Sequence, residues 1–242
     1  MANVHESIEA EEKSDKSFRQ GVKDCIPTLL GYISIGVAAG VVGVAAGISA
    51  LEVVLLAVLV YAGSAQFIFA ALVLDGSPAA AIILTTFIVN LRHFLMSATL
   101  APHFTQFSVW RNIGIGILLT DETFGVASGK LQQKQQMSAS WMNGLNITAY
   151  LCWIASCAAG AIFGNWLSDP EVFGLDFALP AMFIALLVLQ LDAIESAKIK
   201  HYLRLIVCVV LLMIGFSFVV SSHIAVLLAT IIGATIGVVT EK

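Results

Sequence analysis

The longest run of the chain without a charged residue, Leu205–Thr240, is 36 residues, and two more, Gln135–Ser168 and Cys25–Leu51, are 34 and 27. A helical crossing of a ~30 Å hydrocarbon core needs only about 20 apolar residues. Soluble α/β or all-β domains cannot be cut from runs of this length, and charged residues make up 12% of the chain, against roughly a quarter in an ordinary soluble domain. An all-α integral membrane protein is therefore expected, because a lipid-embedded helix satisfies its own backbone. The net charge of −4 and the lack of a Lys/Arg block exclude nucleic-acid binding.

Cutting at charges, at Gly/Pro/Ser clusters and at span length gives about eight transmembrane helices, some short or broken. They cover residues 26–49, 52–74, 78–100, 110–129, 140–167, 178–195, 203–220 and 223–240. As one helix the 36-residue run would be about 54 Å long, so it is divided at Ser221, Ser222 and His223. Residues 1–24 carry ten charges in mixed order and read as a cytoplasmic N-terminal tail. Residues 25–240 then form a single transmembrane transporter domain, with no connection long enough for a catalytic module.

Basic loops stay in the cytoplasm. With both termini inside, the inner side collects Lys13, Lys16, Arg19, Lys23, Lys130, Lys134, Lys198, Lys200, Arg204 and Lys242, and the outer side holds only Arg111. This count favours the fourth span as a full crossing over a re-entrant loop. The outer loop near Asp169, Glu171 and Asp176 is acidic, and Trp141 and Trp166 bracket the fifth span as an aromatic belt would. Pro27 at the start of the first span and Pro180 at the start of the sixth hint at an inverted repeat.

Arg92 lies deep in an otherwise apolar third span. An arginine at the centre of a membrane helix costs about 2.5–3.5 kcal/mol on insertion scales, so it needs a polar cavity or a carboxylate. Its neighbour His93 points about 100° away and reads as a satisfied packing histidine. Asp121 and Glu122 are an adjacent acidic pair inside the fourth span, suited to a substrate ammonium or a coupled proton, or else marking a helix end at a wet vestibule. Tyr61, Gly63, Ser64 and Gln66 surround a stretch of small residues where the second span can unwind beside a cavity; close helix packing through Gly63 and Ser64 is the plainer alternative. Asn90 joins Arg92 as a hydrogen-bonding candidate, and Asn143, Asn146 and Thr148 read equally well as interhelical glue. Gly36, Gly40, Gly43 and Gly47 mark one smooth helix face for close approach.

Cys25, Cys152, Cys157 and Cys208 lie in or beside apolar segments without metal-ligand spacing, so no metal or other cofactor is expected. No Gly-x-Ser-x-Gly elbow, His-Glu-x-x-His or phosphate loop is present, and an enzyme is not expected.

Gly21–Pro27 (GVKDCIP) with Gly31 and Tyr32, Tyr61–Phe67 (YAGSAQF), Asn90–His93 (NLRH), Leu119–Phe124 (LTDETF) with Lys130 and Leu131, and Leu179–Phe183 (LPAMF) together resemble the AzlC/YgaZ family of branched-chain amino acid permeases. The resemblance covers residues 18–235; Ser34 departs from it, standing where relatives carry proline. It implies a large subunit that exports branched-chain amino acids across the bacterial cytoplasmic membrane with a small AzlD/YgaH-type membrane subunit. The residues themselves are compatible with this, since a zwitterion needs a site for each charge and an apolar pocket. A non-transporting assembly subunit and a small-solute channel are the alternatives.

Overall fold

In the computed structural model the described residues are 17–133, 135, 137–166, 177, 181, 184, 187, 188, 191, 198–220 and 222–240. The expected sixth span, with Pro180 and the LPAMF stretch, lies outside them apart from single positions, as do Asp169, Glu171, Asp176 and the proposed Pro27/Pro180 repeat. The secondary structure described is helical throughout: α1 Phe18–Ala45, α2 Ala50–Leu59, α3 Gly63–Leu74, α4 Ala79–Leu100, α5 Val109–Ile117, α6 Asp121–Gln132, α7 Ala139–Gly164, α8 Ile199–Ser217 and α9 Ser222–Thr240. Among the described residues, four apolar helices are long enough to cross a membrane, Phe18–Ala45, Ala79–Phe104, Ala139–Gly164 and Ile199–Ser217. Two compact units result, residues 1–179 and 180–242.

The first unit is built on a seam between α1 and α7. A Cβ added at Gly21 would overlap the backbone of Trp141, one at Gly144 that of Phe18, one at Gly160 that of Val37, and one at Gly40 that of Cys157 and Ala161. Small residues thus let two backbones touch along most of their length. The partners ascend together from Phe18 with Gly144 to Val41 with Gly164, so the helices run parallel. Of the expected glycine face, Gly36 and Gly40 meet α7, Gly43 meets Val53 of α2, and Gly47 adopts φ +82° in the turn that ends α1.

Helix α1 begins well before its apolar run, so residues 18–24 of the expected tail are helical. Ser17 caps the Gln20 amide at 3.1 Å, and Asp24 accepts from Gln20 Nε2 at 2.8 Å and from Trp141 Nε1 at 2.7 Å. Pro27 therefore sits inside a helix rather than starting one. Trp141 is fully buried with Lys130 Nζ 4.8 Å from its ring; it belongs to the core and not to a membrane belt, because glycines opposite it draw α1 onto its backbone. Trp166 is exposed.

The second and fourth spans are the broken ones, and each turns back. Helix α2 starts at the Ala45 end of the seam, where Val53 touches Gly43. Val73, near the close of α3, lines one groove with Gly47, Ile48 and Glu52, which puts the end of α3 back beside the start of α2. Helix α4 then runs the other way along the bundle, and Phe104 just beyond it accepts a hydrogen bond from Asn112 Nδ2 of α5 at 3.1 Å. Asn146, close to Gly144 on α7, donates to the Ile115 carbonyl at 3.0 Å, so α5 starts from the Phe18 end, and α6 returns there with Lys130 against Trp141.

Two hairpins thus enter from opposite ends, and α2–α3–α4 and α5–α6–α7 repeat one order of elements in opposite directions. The expected full crossing of the fourth span is overturned. Hydropathy counts residues but not direction, and two re-entrant segments cancel each other's effect on sidedness, so α7 still points as expected. One consequence corrects the charge count: Arg111 joins Arg19, Lys23 and Lys130 at the Phe18 end, while the Ala45 end carries Glu52 and Asp75.

The second unit is an antiparallel pair. Gly233 of α9 faces Val209 and Gly237 faces Leu205 of α8, and Thr240 Oγ1 lies 3.5 Å from His201 Nε2. The long uncharged run does divide in two, close to the serine pair.

Candidate functional site at the hairpin tips

Each hairpin folds back at a helix start. Helix α2 ends with Tyr61 at φ +44°, a left-handed conformation that costs a bulky residue about 1–3 kcal/mol and persists only where surroundings enforce it. Its ring stands edge-on to Tyr150 at a centroid distance of 4.8 Å, and Tyr150 in turn donates to the Val58 carbonyl at 2.9 Å. Ala62 then stands at the N-cap of α3 without a side-chain hydrogen bond, and no acidic residue lies in the first turn. The first amides of a helix have no partners within it, so this terminus presents donors and a positive dipole end.

The other tip is built from the opposite chemistry. Thr120 caps α6, completing a reciprocal pair of hydrogen bonds with Thr123, and Asp121 with Glu122 fills the first turn, where the dipole favours negative charge. The acidic pair is thus a helix start placed at the level of Tyr32, well inside α1. Tyr32 OH bonds Thr120 Oγ1 and so ties α1 to this tip.

Arg92 of α4 reaches both tips. Its Nη1 lies 2.7 Å from Asp121 Oδ2 and its Nη2 donates to Ser64 Oγ at 2.6 Å, while its Nε has no partner. Side-chain exposures of 27% and 18% for Arg92 and Asp121 make this a mostly enclosed pair. Breaking a buried pair by removing one partner typically costs about 3–5 kcal/mol. Elsewhere among the described residues, Tyr61 OH, Asn90 Oδ1, Thr86 Oγ1 and His93 Nε2 are buried without a hydrogen bond. His93 is therefore not the satisfied packing histidine expected. Thr86, Asn90 and His93 follow at helical spacing along one side of α4.

Of the residues singled out in the sequence, Ser64, Arg92 and Asp121 meet directly, with Gly63 opening the helix that carries Ser64 and Tyr61 closing the one before it. Gln66 is diverted: its Oε1 accepts from Trp153 Nε1 at 2.8 Å, which fastens α3 to α7. Glu122 is not part of the ion pair, which Arg92 makes with Asp121. Asn146 binds the α5 backbone as interhelical glue, and Thr148 bonds the Gly144 carbonyl of its own helix. Sequence reasoning missed Tyr32, Thr120 and Trp153. The Thr-Asp-Glu-Thr order is itself a helix-start signal, a capping residue before an acidic first turn, and could have exposed Thr120. All four cysteines are free, with Cys25 and Cys157 buried as small core residues. No cluster of metal-ligating side chains occurs among the described residues.

Comparison with known proteins agrees with this geometry's membrane setting. The family model described as "AzlC protein" matches residues 27–167. The inner membrane protein YgaZ of Escherichia coli is 30% identical over 74% of this chain and 76% of its own length. The branched-chain amino acid transport protein AzlC of Bacillus subtilis is 25% identical over 87% of this chain and 83% of its own, and an uncharacterized membrane protein of Archaeoglobus fulgidus is 28% identical over 71% and 74%. No solved structure matches. The family match spans both hairpins and most of the α1–α7 seam, Arg92 and the acidic pair included, and the chain is a member of the AzlC family.

Proposed function

We propose that this multi-pass membrane protein transports amino acids, and that it is a secondary transporter exporting branched-chain, hydrophobic L-amino acids by alternating access. The carrying observation is the meeting of two unlike helix starts on Arg92. The α3 start is uncapped and donor-rich, and beside it lie the free Nε of Arg92 and the unpartnered hydroxyl of Tyr61. A carboxylate fits there, since guanidinium and backbone amides both favour anions. The α6 start offers two carboxylates, which fit an ammonium. A zwitterionic amino acid matches this pair of ends in one orientation.

Discontinuous helices whose starts lie at mid-depth are a recurrent way to hold small charged solutes in carriers. The name of the Bacillus subtilis relative supports branched-chain amino acids as the substrate class. Aliphatic selectivity would come from the apolar residues around the tips. Lys and Arg at the Phe18 end support a cytoplasmic location for that end and an inner-membrane setting for the whole, with a small AzlD-type membrane subunit as partner.

Reconstituted protein, with and without such a subunit, should take part in saturable valine or leucine exchange. Arg92→Ala should abolish it in protein that still inserts, with flux compared at equal amounts of inserted protein because loss of the pair lowers stability. Near-normal flux in that variant would remove Arg92 from the mechanism, and absence of any amino acid binding to the wild type would favour a non-transporting assembly role.

A further inference from the structure

A line of contacts besides Arg92 joins the two hairpin tips, and it runs through the α1–α7 frame. Trp153 of α7 donates its indole N–H to Gln66 Oε1 at 2.8 Å, and Gln66 lies in the first turn of α3. The same indole meets the ring of Tyr32 on α1 nearly edge-on, at a centroid distance of 6.1 Å. Tyr32 OH in turn shares a hydrogen bond with Thr120 Oγ1, and Thr120 caps α6. None of Gln66, Trp153, Tyr32 and Thr120 is more than 6% exposed. Gly36 of α1 leaves room for the indole, since a Cβ there would lie 3.5 Å from Trp153 Cε3.

The two links respond differently to a zwitterion. Its carboxylate and ammonium compete for the guanidinium of Arg92 and the carboxylate of Asp121, which face each other at 2.7 Å. Occupancy therefore weakens the direct link just when the spacing of the tips matters most. The indole line carries no net charge. An indole N–H only donates and the amide oxygen it meets accepts, so a charged solute offers it no better partner. A link that stays closed during binding lowers the ordering cost of assembling the site.

We propose that Trp153 is a positioning residue for the zwitterion site. It fixes the start of α3 through Gln66 and the start of α6 through Tyr32 and Thr120. The tips then keep the spacing of one amino acid's carboxylate and ammonium while Arg92 and Asp121 turn to the substrate. This rests on the transport reading above and can fail separately from it.

The test uses the full chain in liposomes and reads leucine exchange against leucine concentration, at equal amounts of inserted protein. Trp153→Phe keeps a ring beside Tyr32 and loses the N–H. It should raise the concentration for half-maximal exchange about tenfold and change the maximal rate by less than about twofold. Gln66→Leu and Tyr32→Phe interrupt the line on either side of the indole without touching each other. Each should raise the half-maximal concentration, and the double variant should raise it by less than the product of the two single effects. Single effects that multiply overturn the proposal, as does a fall in maximal rate with half-saturation unchanged in Trp153→Phe. A Trp153→Phe protein that inserts poorly yet shows wild-type half-saturation makes the residue a packing group and overturns it too. A wild type with no leucine exchange overturns the transport reading itself, and this proposal with it.

Discussion

Arg92 is expensive to bury, and what makes it tolerable is the number of groups that turn toward it. Asp121 and Ser64 are drawn from different hairpins, so the guanidinium ties the two tips together. Neutralising only one member leaves an uncompensated charge, and Asp121→Asn should lower stability by about 3–5 kcal/mol. The double variant Arg92→Gln with Asp121→Asn should recover part of that loss, because both charges leave together. Thermal unfolding in detergent across the four proteins measures this coupling; additive losses would show that the pair is not a unit. Arg92 and the acidic pair stood out in the sequence because charge is rare in an apolar span. Tyr32 and Trp153 did not, because an aromatic in a membrane helix is unremarkable until its partner is known.

At the level of helices, the α1–α7 seam sets the frame. A side chain at Gly40 or Gly160 would collide with backbone rather than with a movable rotamer, and overpacking of that kind costs about 1–3 kcal/mol or more. Gly40→Val or Gly160→Val should therefore reduce extracted yield and unfolding temperature sharply. Gly31→Ala, which meets open space on the same helix, should leave both unchanged. Equal effects at the three positions would mean that the seam is not closely packed. The spacing of these glycines was visible in the sequence, and so was the break at the small residues after Tyr61. The partner of the glycine face was not, because spacing defines a smooth surface without saying what lies on it.

For the whole molecule, the inverted arrangement of hairpins is directly measurable. In a background free of native cysteines, Ser49→Cys and Ser77→Cys should react with an impermeant maleimide from the same side of the membrane. Ser108→Cys and Gln133→Cys should react from the other side. Labelling of Ser49→Cys and Ser77→Cys from opposite faces would restore a full crossing for the second span. Segment length cannot distinguish these topologies, since paired reversals leave α7 where it was. The added signal lies in Arg111, which sits with the other basic residues only when both segments double back.

Two hairpins inserted head to head leave neither end of the first unit structurally privileged. On the transport reading proposed above, such a frame holds no built-in valve, and whichever side offers the higher substrate potential decides which way cargo moves.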